Sequence, residues 1–148
     1  MGKMEMAIRI LLADDHTLVR ETLSSLLQNQ EGMEVVGQAK DGATALELAE
    51  QLQPDIVVMD VSMPPILSGL EATRWMCGNW PKVKVIALSM HKQKQYVTEM
   101  LKAGARGYLL KDCDSDELLE AIRAVVHGQV YVSPSIDISK SNHNDVGQ

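Results

Sequence analysis

The sequence predicts an α/β fold: a doubly wound parallel sheet of five strands with helices on both faces. Three observations carry this reading. Short apolar runs rich in β-branched residues alternate five times with segments of helical periodicity, the pattern of βα units joined by right-handed crossovers. The run Ile56–Met59 is apolar at every position, as in a strand buried on both sides. Four of the runs end in polar residues: Asp14 and Asp15, then Asp60, Ser89 and Lys111. In a parallel sheet those ends share one edge, where ligands of open α/β sheets bind.

Taken in order, Ile8 to Ala13 is the first strand and leads into Asp14-Asp15. Thr17 to Gln28 spaces Leu18, Val19, Leu23, Leu26 and Leu27 as a helix does. Glu34 to Ala39 is a second strand. Asp41 is placed to cap a helix carrying Ala45, Leu46, Leu48, Ala49 and Leu52, which Pro54 stops. The third strand runs to Asp60, and a loop follows from Val61 to Leu67. Ser68 and Glu71 have capping-box spacing, so a third helix starts there. Val83 to Leu88 is the fourth strand, followed by Ser89. Lys94 to Ala103 is a fourth helix, closed by Gly104. Arg106 to Leu110 is the fifth strand and ends in Lys111. Asp114 to Val126 is a fifth helix, with Asp114 and Glu117 in a second capping-box pattern and Gly128 at its end. The core domain is read as residues 7–132. Residues 133–148 are polar and aperiodic, as in a flexible tail or linker.

Composition narrows the function. With 148 residues, 45% hydrophobic and 23% charged, the chain is an ordinary globular domain, its core filled by aliphatics and nine methionines because phenylalanine is absent. A formal charge of −6 argues against this chain alone gripping nucleic acid. No apolar run approaches the ~20 residues that span a bilayer, and the N-terminus lacks a signal peptide's apolar core. Cys77 and Cys113 form neither a metal cluster nor a disulfide framework, so the expected setting is the cytoplasm.

If the strand order is the flavodoxin-like 2-1-3-4-5, the first and third strands are neighbours at the switch point. Asp14, Asp15 and Asp60 then converge. Like charges so close invite a divalent cation, and oxygen-only ligands select a hard one such as Mg²⁺. Lys111 and Ser89 on the other flank complete a site built to receive an anion. Phosphoryl transfer fits, with Asp60 as the nucleophile that forms an aspartyl phosphate. Singly, each residue has a plainer reading: Asp14-Asp15 as turn residues, Ser89 as a cap, Lys111 as a solvated charge, Tyr108 as packing, His16 and His91 as surface groups. Only the ordered set decides.

That set resembles the receiver domain of two-component response regulators, in particular the NarL/FixJ (LuxR-type) branch. The matching residues are Leu11-Leu12-Ala13-Asp14-Asp15-His16, Met59-Asp60-Val61-Ser62-Met63-Pro64, Gly69-Leu70-Glu71-Ala72-Thr73-Arg74, Leu88-Ser89-Met90-His91 and Gly104-Ala105-Arg106-Gly107-Tyr108-Leu109-Leu110-Lys111. The resemblance implies that Asp60 is the phosphoacceptor. It implies that Asp15, Asp60 and the backbone carbonyl of Ser62 ligate Mg²⁺, with Asp14 assisting through water. Ser89 and Lys111 would contact the phosphoryl oxygens, and Tyr108 would be the aromatic switch. Ser62 and His91 stand where receivers tune the lifetime of the phosphoryl group. The implied partner is a sensor histidine kinase, with homodimerisation on phosphorylation as a further expectation. Output would be transcription, through a DNA-binding domain outside this chain, and the chain itself a phosphoacceptor that assists its own phosphorylation and dephosphorylation rather than an enzyme. A stand-alone or degenerate receiver serving as a docking module is the alternative. Pro65, Ile66, Leu67 and Ser68 put four residues between Pro64 and Gly69 where the family usually has three. A haloacid-dehalogenase-like phosphatase would need an acid at Ser62, and a flavodoxin-like electron carrier a hydroxyl-rich loop in place of Asp14-Asp15.

Overall fold

The computed structural model describes residues 7–61 and 69–136. Within them the chain runs β1 (Ile8–Ala13), α1 (Thr17–Gln28), β2 (Met33–Ala39), α2 (Gly42–Leu52), β3 (Ile56–Asp60), α3 (Gly69–Asn79), β4 (Lys84–Ser89), α4 (Lys94–Ala103), β5 (Gly107–Leu110), α5 (Ser115–Val126) and β6 (Tyr131–Val132). The strands form one sheet in the order β2-β1-β3-β4-β5-β6, every neighbouring pair parallel. The expected order 2-1-3-4-5 holds, and the sheet goes one strand further. Two residues are too short to show a periodicity, which is why β6 has no signal of its own in the sequence.

Burial follows from the two-sided covering of a parallel sheet. All five residues of β3 are buried, and alternate residues feed opposite layers. Ile56 and Val58 join Ile10, Leu12, Leu27, Leu118 and Ile122 beneath α1 and α5, whereas Val57 and Met59 join Leu11, Ala45, Ala49, Ala72 and Met76 beneath α2 and α3. A third cluster lies towards α4, where Ala87, Val97, Met100, Ala105, Tyr108 and Leu110 enclose Ile136. Ile136 and Ser133 lie in the stretch expected to be polar tail, yet both are buried.

The helix ends are local chemistry. Asp41 accepts from the Thr44 backbone N–H at 2.7 Å, and Asp114 from that of Glu117 at 2.9 Å, as their spacing predicts. Glu117 departs from the capping-box scheme, because its carboxylate accepts from the Tyr131 hydroxyl at 3.3 Å and so ties α5 to β6. Ser68, the proposed cap of α3, lies outside the described residues, as do Ser62 and the loop insertion at 65–68. Gly69 begins α3, and a Cβ there would sit 2.6 Å from Val61 Cα and 2.8 Å from the Asp60 carbonyl oxygen. The helix can rest on the end of β3 only because that side chain is missing.

Gly104 ends α4 with φ 114°, and an added Cβ would meet Cys77 Cβ at 2.4 Å. Gly128 has a similar φ of 90° but open space around it. Gly128→Ala should therefore cost only backbone strain, about 1 kcal/mol. Gly104→Ala should add an overpacking penalty for a total of about 2–4 kcal/mol. Urea midpoints of the two variants check this, and equal losses would show that α3 and α4 yield freely at Cys77.

Candidate phosphoacceptor and metal site

The site is assembled by sheet register. Ala13 pairs with Met59, so the residues that follow, Asp14 and Asp60, emerge side by side from β1 and β3. Asp60 pairs with Leu88, and Ser89 with Leu110, which brings Ser89 and then Lys111 to the same edge. Backbone bonds pin that edge: Asp14 N–H to the Ala39 carbonyl at 2.9 Å, Val61 N–H to Leu88 at 3.0 Å, Lys111 N–H to Ser89 at 2.8 Å. The Arg20 guanidinium, reaching back from α1, donates to the Asp14 carbonyl at 2.8 Å and fixes the turn that carries the acidic pair.

Asp60 is 0% exposed and Asp14 2%, whereas Asp15 faces solvent. Two buried carboxylates at one edge need compensation. Lys111 supplies it, its Nζ lying 3.1 Å from Asp60 Oδ2 and 3.1 Å from Asp14 Oδ2. Burial acts to lower the Lys111 pKa, but contact with Asp14 and the nearby Asp60 charge outweigh it, so the net shift is upward. The ammonium stays charged at neutral pH.

Asp14, Asp15, His16 and Asp60 each offer a donor atom within 4.8 Å of the others. Three carboxylates fit a hard divalent cation, and an exposed Asp15 leaves room for the waters that Mg²⁺ retains. His16 is the member sequence reasoning left out. Its Nδ1 lies 3.1 Å from Asp14 Oδ1 and 3.2 Å from Asp15 Oδ1. Its place beside the acidic pair was the available signal, but an isolated histidine at a helix start is usually only a surface group.

On the other flank the Ser89 hydroxyl accepts from His91 N–H at 3.0 Å, and the Tyr108 hydroxyl donates to the His91 carbonyl at 2.8 Å. The Tyr108 ring is fully buried. Burial pushes its phenol pKa up, and the Ser89 hydroxyl partly opposes that. The His91 ring stacks on Tyr96 of α4, centroids 4.1 Å apart and planes 14° from parallel. Thus Asp14, Asp15, Asp60, Ser89 and Lys111 converge at one edge, and Tyr108 joins them through His91.

Known proteins share this fold. The chain is 44% identical over 132 residues to the transcriptional regulatory protein DegU of Brevibacillus brevis, covering 89% of this chain and 56% of that one. It is 44% identical over 129 residues to the response regulator GacA of Pseudomonas aeruginosa, covering 87% and 60%. The chain thus spans less than two thirds of these relatives. A LuxR-family two-component response regulator from Aurantimonas sp. SI85-9A1 superposes with a TM-score of 0.87 at 36% identity, covering 92% of this chain and 98% of that one. The signal receiver domain of the response regulator NarL from Mycobacterium tuberculosis gives 0.80 at 32% identity, covering 84% and 100%. Residues 10–123 match the response regulator receiver domain, and the chain belongs to that family, on its NarL/LuxR-type branch.

Proposed function

We propose that this receiver takes a phosphoryl group from a sensor histidine kinase onto Asp60. One observation carries the reading: a fully buried carboxylate at the end of the central strand, 3.1 Å from an ammonium and clustered with two further carboxylates. A carboxylate oxygen of Asp60 attacks phosphorus, the P–N bond to the kinase histidine breaks, and the imidazole leaves with a proton from solvent. Mg²⁺, held by Asp15, Asp60 and the Ser62 carbonyl with Asp14 assisting through water, would neutralise charge on the phosphoryl oxygens. Lys111 turns from Asp60 Oδ2 to a phosphoryl oxygen, and the Ser89 hydroxyl donates to another. The chain thereby assists its own phosphorylation and dephosphorylation, and remains a phosphoacceptor.

The added charge of about −1.5 to −2 is the signal. Drawing Ser89 towards it loads the His91 backbone and, through the 2.8 Å bond, the Tyr108 hydroxyl. The buried ring is the state phosphorylation favours. We read the output as transcription, by a DNA-binding domain following the linker, because the relatives include a protein named as a transcriptional regulator and are longer than this chain. Pairing of two phosphorylated copies is part of that reading. Among the described residues no helix is long and apolar enough to cross a membrane, and the acting compartment is taken to be the cytoplasm.

Incubated with acetyl phosphate and Mg²⁺, the protein should gain the mass of one phosphoryl group. Asp60→Asn and a metal-free control should show none, and a gain in Asp60→Asn would move the acceptor elsewhere.

Lys111 makes a second expectation. Replacing it by Met strands the buried Asp14 and Asp60 charges and should cost about 3–5 kcal/mol without metal. Added Mg²⁺ should recover part of this loss. The folded Lys111 pKa lies above its ordinary value of 10.5. Its ion pairs therefore stabilise fully below that value and are lost as pH rises through the folded pKa. Unfolding curves from pH 9 upwards should show that alkaline loss in the wild type and less of it in Lys111→Met; equal slopes would remove Lys111 from the electrostatic account.

A further inference from the structure

Residues 90–93 link Ser89 to α4, and the helix start does little to hold them. Gln93, the N-cap of α4, makes no side-chain capping bond, and Met90 is largely exposed. His91 is the residue that ties this segment down. Its N–H donates to Ser89 Oγ at 3.0 Å, and its carbonyl accepts from the Tyr108 hydroxyl at 2.8 Å. Its ring stacks on Tyr96, centroids 4.1 Å apart and planes 14° from parallel. Among the described residues neither ring nitrogen makes a hydrogen bond, so the stack is the side chain's specific contact. A cavity of about 370 Å³ opens beside the two rings, bounded also by Leu70, Met100 and Tyr108. The imidazole therefore has room to leave once the stack is gone. Tyr96 stands on a firmer base. It lies in the first turn of α4, whose Val97 and Met100 are buried.

We propose that Tyr96 is a positioning residue for phosphoryl transfer: by stacking on the His91 ring it fixes the peptide that keeps the Ser89 hydroxyl aimed at the phosphoryl group. The inference rests on reading Asp60 as the phosphoacceptor. A serine hydroxyl has one proton to donate and two lone pairs. The His91 N–H fills a lone pair of Ser89 Oγ, which leaves the proton free for a phosphoryl oxygen. If the His91 peptide drifts, that constraint is lost, and the hydroxyl has to be oriented at the moment of reaction. Tyr96 touches neither Asp60 nor the reacting atoms. Its effect passes through two contacts, ring to ring and then N–H to Oγ. An aromatic pair of this kind corresponds to a change of about 2- to 10-fold in rate when all of its energy is spent on positioning.

The test is the rate of phosphorylation of the full chain by acetyl phosphate and Mg²⁺, followed by intact mass. The wild type is compared with Tyr96→Ala, Tyr96→Phe, Ser89→Ala and the Ser89→Ala/Tyr96→Ala double variant. Tyr96→Ala should slow the reaction about 2- to 10-fold. Tyr96→Phe keeps the ring and should recover most of that rate. In the Ser89→Ala background the loss of Tyr96 should cost nothing further, because the hydroxyl it positions is gone. A merely structural role would slow both backgrounds by the same factor. That equal factor overturns the proposal, as does a Tyr96→Ala rate equal to the wild type or a Tyr96→Phe rate as low as that of Tyr96→Ala. The wild type gives a readout that needs no variant to fold: nuclear Overhauser contacts should join the ring protons of His91 and Tyr96, and their absence also overturns it. Failure of the underlying reading looks different, since the wild type would then gain no phosphoryl group or Asp60→Asn would gain one.

Discussion

The structure depends on two carboxylates, Asp14 and Asp60, buried side by side at the ends of adjacent parallel strands. A hydrophobic sheet has no reason to keep such a pair, because burying a charge without a partner is costly. Lys111 supplies one at 3.1 Å from both. It follows β5, two places from β3 and three from β1, so the ion pairs tie β1, β3 and β5 together at their carboxyl ends. The neutralisation is incomplete, one ammonium against two buried carboxylates and the exposed Asp15. In the proposed reading the remaining negative charge would attract a cation and an arriving phosphoryl group would compete for the same ammonium, so that binding chemistry and strand geometry would be one electrostatic problem.

Much of this was legible in the sequence because parallel sheets write themselves as alternation. Apolar runs ending in polar residues located all four site-bearing strand ends, and Asp41, Gly104 and Asp114 marked helix limits through local chemistry that needs no tertiary context. What stayed hidden was set at longer range. β6 is only Tyr131 and Val132, and it exists because Tyr131 N–H donates to the Arg106 carbonyl and its hydroxyl reaches Glu117 on α5. Ile136 sits in a run of polar residues, and nothing in its neighbours foretells that it is buried against α4 and β5. His16 joined the carboxylates through the angle of the β1–α1 turn, which Arg20 fixes from the next helical turn. Spacing along the chain says little about such an angle.

The sixth strand alters the route by which a change at Asp60 can leave the domain. Ser133 N–H donates to the Tyr108 carbonyl at 2.9 Å, and Tyr108 pairs with Val132. The segment Tyr131–Ser133 therefore lies beside the strand that carries Tyr108 and leads into Lys111, and is not simply attached at the far end of α5. Adjacent strands are about 4.8 Å apart, so β6 lies directly against the β5 backbone.

Magnitudes limit what that contact can do. Ile136 is 8% exposed and shares its cluster with the Tyr108 ring, Met100 and Leu110. Burial of one such side chain stabilises by roughly 1.5–3 kcal/mol. Turning a two-state element from about 1:99 to 99:1 takes about 5.5 kcal/mol. The Ile136 contact can therefore bias the equilibrium by only part of that range. The rest has to come from the charged edge, where Ser89, Lys111 and the buried carboxylates interact in a low dielectric and single contacts are worth more. In the proposed switch the apolar end near Ile136 would report the state and the polar end near Asp60 would set it. His91 joins the two, because its N–H faces Ser89 and its carbonyl faces Tyr108. In that proposal one peptide segment would carry the coupling, which would make it sensitive to the backbone at residue 91 whatever side chain is placed there.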